Sequence, residues 1–345
     1  MEENFVRREI AMELLVKFVH LVILTEKNQS KQRKRKMKIL GIGNAIVDVI
    51  CKVDDEFIKK NNLTKSTMKL IFDENEFKQL LSNLKIEKTV SGGSVANSIV
   101  GLSQLGNDVG FIGKVNDDDL GEKYEEGLKT ENVKYFYSKK NEELPTGTCL
   151  ILVTPDSERT MCTFLGTAGK INENDVDASA IKKSEIIFLE GYLWDEGDPR
   201  KAFDKAINNA NKVAMSLSDQ FCVDRHKPHF LELVKNKLDI TFANEQEIIS
   251  LIDAKNFEDV INFAKELKKL LVVTRGEKGA VSINGNEVTE CGIKKDLKIV
   301  DLTGAGDLFA AGFLHGHVNK MTQKECLEKG TEMSSKVIQQ IGARI

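Results

Sequence analysis

Apolar and polar positions along this chain follow two periods. Short, mostly apolar runs, the mark of strands buried on both faces, fall at 39–42, 109–112, 186–189, 212–217, 240–243 and 271–274. Between them, apolar residues recur every three or four positions, which predicts helices over 95–105, 120–130, 199–210, 246–253 and 257–268. A strand-then-helix alternation of this kind favours a mostly parallel sheet with helices on both faces. Two stretches, 46–72 and 133–164, break the rhythm. Runs such as Gly147-Thr148-Cys149-Leu150-Ile151-Leu152-Val153, joined by Thr154-Pro155-Asp156, read as half-buried antiparallel strands. They are predicted to pair as a small sheet covering one end of the main one.

The first 36 residues differ from the rest. Nine Lys/Arg against five Glu leave this segment at +4, so the remainder of a chain of net charge −3 carries −7. Its apolar run, 14–24, is eleven residues long and interrupted by Lys17 and His20. A bilayer needs about 20 apolar residues, so this run does not span one. The basic cluster 31–36 follows the apolar run instead of preceding it, which does not fit a secretory signal. Residues 1–36 are therefore predicted to be a loosely attached extension. The folded domain, and translation itself, are expected to begin at Met37, giving one domain over 37–345.

Charge and cysteine content remove several functions. With 50 Lys+Arg against 53 Asp+Glu, the chain has no excess charge for coating nucleic acid. Six scattered cysteines without a Cys-x-x-Cys pair argue against a zinc site or a disulfide framework, and reduced thiols in a cytoplasm are the simpler expectation.

Gly41-Ile42-Gly43-Asn44-Ala45-Ile46 follows a strand but lacks the third glycine of a dinucleotide-binding turn, and no P-loop is present. Ser91-Gly92-Gly93-Ser94-Val95-Ala96-Asn97 is more informative. Two glycines before a helix allow a ligand to approach the backbone, Ser94 is the expected N-cap, and Asn97 lies one turn in. A tight turn followed by a capped helix would look the same. Further on, the strand-like Lys298-Ile299-Val300-Asp301 runs into Thr303-Gly304-Ala305-Gly306-Asp307 and an apolar helix. The amides of Gly304, Ala305 and Gly306 would converge at a helix N-terminus, a ready site for phosphate oxygens. Asp307 beside that anion could take the proton of an attacking hydroxyl, or merely complement the helix dipole. Asn244 and Glu247 have capping-box spacing, and the alternative is a role around Mg²⁺. Thr274-Arg275-Gly276 ends a strand in a turn that would border a nucleotide or simply form a hairpin.

Taken in order, these motifs resemble the PfkB, or ribokinase-like, family of sugar and nucleoside kinases. Residues 91–106 and 301–312 match its two signatures, with Asn244, Glu247 and 274–279 between them, and the likeness covers roughly 37–345. It implies a ribokinase-like α/β fold, three layers α/β/α with a mostly parallel central sheet plus a small β-sheet lid made by 46–72 and 133–164. By the same resemblance Asp307 is the catalytic base, and Gly304, Ala305 and Gly306 form the anion hole. Asn244 and Glu247 order Mg²⁺ through water, and Thr274 and Gly276 border ATP. Asn44, Asp48, Gly92, Gly93 and Asn97 bind the acceptor, and Arg159 on the lid reaches phosphates. Asn44-Ala45-Ile46-Val47-Asp48 looks like the adenosine kinase version of the first strand. The ending Ile341-Gly342-Ala343-Arg344 resembles a bacterial adenosine kinase-like subgroup. A monovalent cation such as K⁺ near Asp301, and a monomer or a lid-mediated homodimer, are further implications. Phe164, Tyr192, Trp194 and Phe221 are the aromatic candidates to flank a purine.

The expected activity is ATP-dependent phosphorylation of the primary hydroxyl of a ribose-containing acceptor, adenosine foremost. Ribose, fructose or a keto-deoxy sugar acid is the alternative acceptor, the acid calling for an arginine such as Arg159 or Arg225. A nucleoside-binding protein without catalysis is the alternative of another class.

Overall fold

The computed structural model describes residues 37–156, 158–194 and 199–345; the extension expected over 1–36 lies outside them. In chain order the strands are β1 (Met37–Ile42), β2 (Val47–Lys52), β3 (Met68–Leu70), β4 (Ile86–Ser91), β5 (Val109–Ile112), β6 (Lys134–Tyr135), β7 (Thr148–Val153), β8 (Arg159–Phe164), β9 (Ser184–Glu190), β10 (Val213–Ser216), β11 (Ile240–Asn244), β12 (Leu270–Thr274), β13 (Ala280–Asn284) and β14 (Glu287–Cys291). Nine of them form one sheet in the order β14-β13-β12-β11-β10-β9-β1-β5-β6. It is parallel from β12 to β6, and the β12–β13–β14 end is antiparallel.

The continuous apolar runs have a direct physical cause. Ile39, Val109, Ile186, Phe188, Ile240 and Val272 pack into one core, while Leu40, Ile42, Ile112, Ile187, Leu189 and Val273 pack into another. Each strand thus buries both faces, so alternation disappears from its sequence. The first core takes helices Ser94–Gln104 (through Val95 and Ile99) and Ala305–Val318 (through Phe309 and Phe313). The second takes Pro199–Asn209, Gln220–Asn236, Glu245–Ile252 and Phe257–Leu267. The result is the expected three layers, α/β/α.

The second sheet has the order β3-β8-β7-β2-β4. It differs from the expectation in three ways. It is mixed, because β2–β7 and β3–β8 pair parallel while β2–β4 and β7–β8 pair antiparallel. It includes β4, from a polar segment (Ile86-Glu87-Lys88-Thr89) whose alternation was too weak to announce a strand. And β6, inside the 133–164 stretch, joins the main sheet beside β5. Residues 298–301 are not a strand either. The Val300 and Asp301 amides donate to the Ile338 carbonyl (2.8 and 3.2 Å), which terminates a helix instead of extending a ladder. Helix Gln220–Asn236 escaped notice because Pro228 sits inside it and His226 has non-helical backbone angles. Helix Gln323–Val337 owes its place to packing against Ala305–Val318. Among the described residues no helix is long and apolar enough to cross a membrane, and the six cysteines are free and buried.

Candidate active site

The candidate residues gather where the parallel strands end at their carboxyl termini, the general position of ligand sites in such sheets. Asp307 lies in the first turn of helix Ala305–Val318, whose N-cap Gly304 adopts φ 77°. A Cβ on Gly304 would lie 2.6 Å from the Ala343 Cα, so only glycine permits both the backbone angle and the packing. The half-buried Asp307 carboxylate accepts a hydrogen bond from Ser94 Oγ (2.6 Å) and another from Asn97 Nδ2 (3.0 Å). Ser98 Oγ donates to its main-chain carbonyl at 2.9 Å. Burial pushes the Asp307 carboxyl up to about 6, against the downward pull of Ser94, Asn97 and Arg344.

Ser94 is therefore not the N-cap that its sequence position suggested. The cap is Gly93, which has no side chain to give, and Ser94 turns to Asp307. The orphan amide of Val95 is met from another element: Glu190, at the end of β9, accepts it at 2.9 Å. The other oxygen of Glu190 accepts from Asn44 Nδ2 at 2.9 Å. Burial raises the Glu190 carboxyl to about 7, with Val95 and Asn44 pulling it down and Asp307 adding to the rise. Sequence reasoning missed Glu190. Its signal was a lone carboxylate ending the apolar run Ile186-Ile187-Phe188-Leu189.

The two glycines before this helix are demanded by different neighbours. A Cβ on Gly92 would sit 2.5 Å from Asp48 Oδ2, and one on Gly93 (φ 97°) would sit 2.2 Å from the Asn44 carbonyl oxygen. Asp48, Gly92, Gly93, Asn44 and Asn97 are thus brought together around Asp307. Burial raises Asp48 to about 7; Arg344 and Arg159 oppose the rise and Asp307 adds to it.

At the carboxyl end of β11, Asn244 and Glu247 form the capping box that their spacing announced. Glu247 N donates to Asn244 Oδ1 (2.8 Å), and Asn244 N donates to Glu247 Oε2 (2.9 Å). Thr274 is the register partner of Asn244 on the next strand. Glu247 is buried, and burial raises its carboxyl to about 7, with the charge of nearby Asp219 contributing. A buried carboxylate facing a second negative charge suits a divalent cation reached through water. Among the described residues no group of three or more His, Cys, Asp or Glu is arranged to ligate a metal directly. Gly276 takes φ 56° with open space at its Cβ position, and Gly306 likewise has nothing within 4 Å. The Ala305 amide donates to the Leu302 carbonyl at 3.2 Å, so in this conformation it is not free for an anion.

Arg159 does not join the sugar-side cluster as a free group. Its Nη1 donates to Asp301 Oδ2 at 2.5 Å, joining β8 to the segment before the glycine turn. Asp301 also accepts from Thr303 Oγ1 (2.7 Å) and the Gly342 amide (2.8 Å). Burial pulls its carboxyl upward, but Gly342, Thr303 and Arg159 outweigh that and hold it below the ordinary range. Arg344 was not singled out as a site residue, yet its Nε donates to Asn97 Oδ1 (3.0 Å). Of the aromatics, Phe164 stacks on Phe77 (5.2 Å between centroids) and Trp194 packs on Phe203 (5.1 Å), both in the core. Phe221 is exposed, and Tyr192 donates through its amide to Ser218 Oγ at 3.1 Å.

Comparison with known proteins gives this geometry a family. A model described as pfkB family carbohydrate kinase matches residues 59–345. Adenosine kinase 2 of Arabidopsis thaliana is 26% identical over 334 residues, covering 88% of this chain and 94% of that protein. The solved adenosine kinase from Sinorhizobium meliloti superposes with a TM-score of 0.82 at 37% identity, over 90% of this chain and 96% of that one. A probable sugar kinase from Rhizobium etli superposes with a TM-score of 0.81 at 36% identity, over 90% and 95%. The chain belongs to the pfkB carbohydrate kinase family, and it is a kinase that moves phosphate from ATP onto a hydroxyl group.

Proposed function

We propose that the acceptor is the ribose primary hydroxyl of adenosine and that Asp307 is the base that deprotonates it. The observation that carries this reading is the Asp307 carboxylate, held by Ser94 and Asn97 in the first turn of a helix that opens on a glycine turn. With its carboxyl at about 6, Asp307 is mostly ionised at neutral pH and can still take a proton. The hydroxyl proton passes to Asp307, the oxygen bonds to the γ-phosphorus, and the bond from that phosphorus to the β–γ bridging oxygen breaks to release ADP. The Gly304 and Gly306 amides face the charge on the transferred group, with Ala305 joining them when its bond to Leu302 opens. Asp48 holds the sugar hydroxyls beside Gly92 and Gly93, while Asn44 and Asn97 frame the pocket. Thr274 and Gly276 border ATP. Mg²⁺, held through water by Glu247 and Asn244, would neutralise phosphate charge.

The smaller sheet acts as a lid, with the Arg159–Asp301 pair as its latch. We further propose a monomer or a dimer formed through that lid, K⁺ near Asp301, a cytoplasmic location, and a separate extension over 1–36. Adenosine is preferred because the Sinorhizobium meliloti relative is an adenosine kinase. A free sugar is the second reading, favoured by the likeness to a probable sugar kinase. An anionic sugar acid is less suited, since Arg159 is already committed to Asp301.

The test is an ADP-release assay with adenosine, ribose, fructose and a keto-deoxy sugar acid, run on the native protein and Asp307→Asn. Adenosine should give the highest kcat/KM, and the variant should lose about 10²–10⁴-fold in kcat with nucleotide affinity retained. Near-native turnover of the variant refutes the base. Nucleoside binding without ADP release refutes the kinase reading in favour of a binding protein.

A further inference from the structure

We propose that Arg344 is a positioning residue for phosphate transfer, fixing the orientation of the Asn97 amide that holds Asp307 and supplying a positive charge shared by Asp48 and Asp307. This rests on the reading of Asp307 as the base.

An asparagine amide has a donor end and an acceptor end, and only one orientation serves a carboxylate. Asn97 Oδ1 accepts from Arg344 Nε at 3.0 Å, which leaves Nδ2 to donate to Asp307 Oδ2 at 3.0 Å. Flipped, the amide would set oxygen against carboxylate oxygen and nitrogen against guanidinium, two repulsive contacts in place of two bonds. Arg344 also grips the start of the glycine pair, because its Nη1 donates to Ser91 Oγ at 2.8 Å, one residue before Gly92. One planar fork thereby ties the acceptor side (Ser91, Gly92) to the base (Asn97, Asp307), a geometry an ammonium cannot copy.

The segment carrying Arg344 is built in. The Gly342 amide donates to Asp301 at 2.8 Å, Ala343 fills the space that a side chain on Gly304 would take, and Gln104 Nε2 donates to the Ile345 carbonyl at 3.1 Å. Among the described residues Arg344 Nη2 is buried without a hydrogen-bond partner, a cost in a folded interior. The charged and titratable groups around Arg344 are Asp48, Asp307, Tyr124 and Glu131. The charge of Asp307 in turn raises the neighbouring Glu190 carboxyl and the Tyr192 phenol. Arg344 draws the carboxyls of both Asp48 and Asp307 downward, so its loss must move them up.

The experiment is a pH profile of kcat and kcat/KM for the native enzyme, Arg344→Gln, Arg344→Lys and Asp307→Asn, with melting temperature measured alongside. In Arg344→Gln the acid limb should move up by about one unit, about a tenfold loss at pH values below the limb. Arg344→Lys should return the limb to its native position while kcat stays at least about tenfold low, because the charge is restored and the fork is not. A native limb and native kcat in Arg344→Gln overturn the proposal. So does a pH-independent loss that tracks the melting temperature and raises the KM for ATP equally, the pattern of a purely structural arginine. Should Arg344→Gln fail to fold, Arg344→Lys decides: low kcat on a native limb supports the proposal, and native kcat overturns it. An inactive Asp307→Asn beside an Arg344→Gln variant with native limb and kcat sinks this inference alone, whereas an active Asp307→Asn removes the base reading as well.

Discussion

Gly92→Ala offers a sharp separation of binding from folding. Gly92 does not adopt a positive φ, so alanine is allowed by the backbone. The three nearest neighbours of the added Cβ all belong to one side chain: Asp48 Oδ2 at 2.5 Å, Cγ at 2.7 Å and Oδ1 at 2.8 Å. Ordinary contact between such atoms is about 3.4 Å or more, so the carboxylate must swing away by about 1 Å. Folding should scarcely notice, because removing a glycine from the unfolded chain returns about 0.4–1 kcal/mol. Acceptor binding should suffer. If Asp48 grips two sugar hydroxyls with charge-assisted bonds of about 1.5–3 kcal/mol each, misaiming it loses about 2–4 kcal/mol, or about 30- to 1,000-fold in the acceptor KM. The assay is steady-state kinetics with acceptor and ATP varied separately, plus a melting curve. The expected pattern is a large rise in acceptor KM, an unchanged KM for ATP and a melting temperature within a few degrees of native. An unchanged acceptor KM would refute the role given to Asp48, and an equal rise for both substrates would refute the separate assignment of acceptor and ATP residues.

Gly93→Ala should behave in the opposite way: at φ 97°, with the Asn44 carbonyl 2.2 Å from the new Cβ, the clash is with backbone, and a loss of about 2–4 kcal/mol should appear in the melting curve of ligand-free protein. Stability should also fall as pH rises from about 6.5 to 8. Asp48, Glu190 and Glu247 stand at about 7 and Asp307 at about 6, all raised above the unfolded values, so the folded state holds protons more tightly. The associated stability is full below the unfolded values and is lost as pH climbs through the folded ones. The melting temperature should therefore drop across that window, with a shallower slope in Glu190→Gln; a flat profile would contradict the burial of these carboxylates. Asp156 and Glu332, held at about 2, titrate well below it, and His315 and His317, lowered by burial, act at its lower edge and beneath.

Much of the fold was written locally. Runs such as 109–112 and helices such as 120–130 and 257–268 match the observed elements to within a residue, because period and caps are properties of neighbouring residues. The glycine turns and Asp307 were legible for the same reason, each being a short motif whose backbone demand shows in its own sequence. Segments whose state depends on distant partners were not: β4 is a strand only because β2 offers it an edge, and 298–301 is not one because the Ile338 carbonyl takes its amides.

The sequence alone determined the alternation of buried strands and amphipathic helices, the two glycine turns and the residue that stands beside each, since those depend on contacts within a few residues. Only the tertiary structure decided that Glu190 caps the helix Gly93 leaves uncapped, that Ser94 serves Asp307 instead of its own helix, and that Arg344 reaches back to Asn97. Those bonds join residues 95 to 247 positions apart. Satisfying a buried polar group is a requirement of the folded interior, and which distant group meets it depends on where the chain crossings place them.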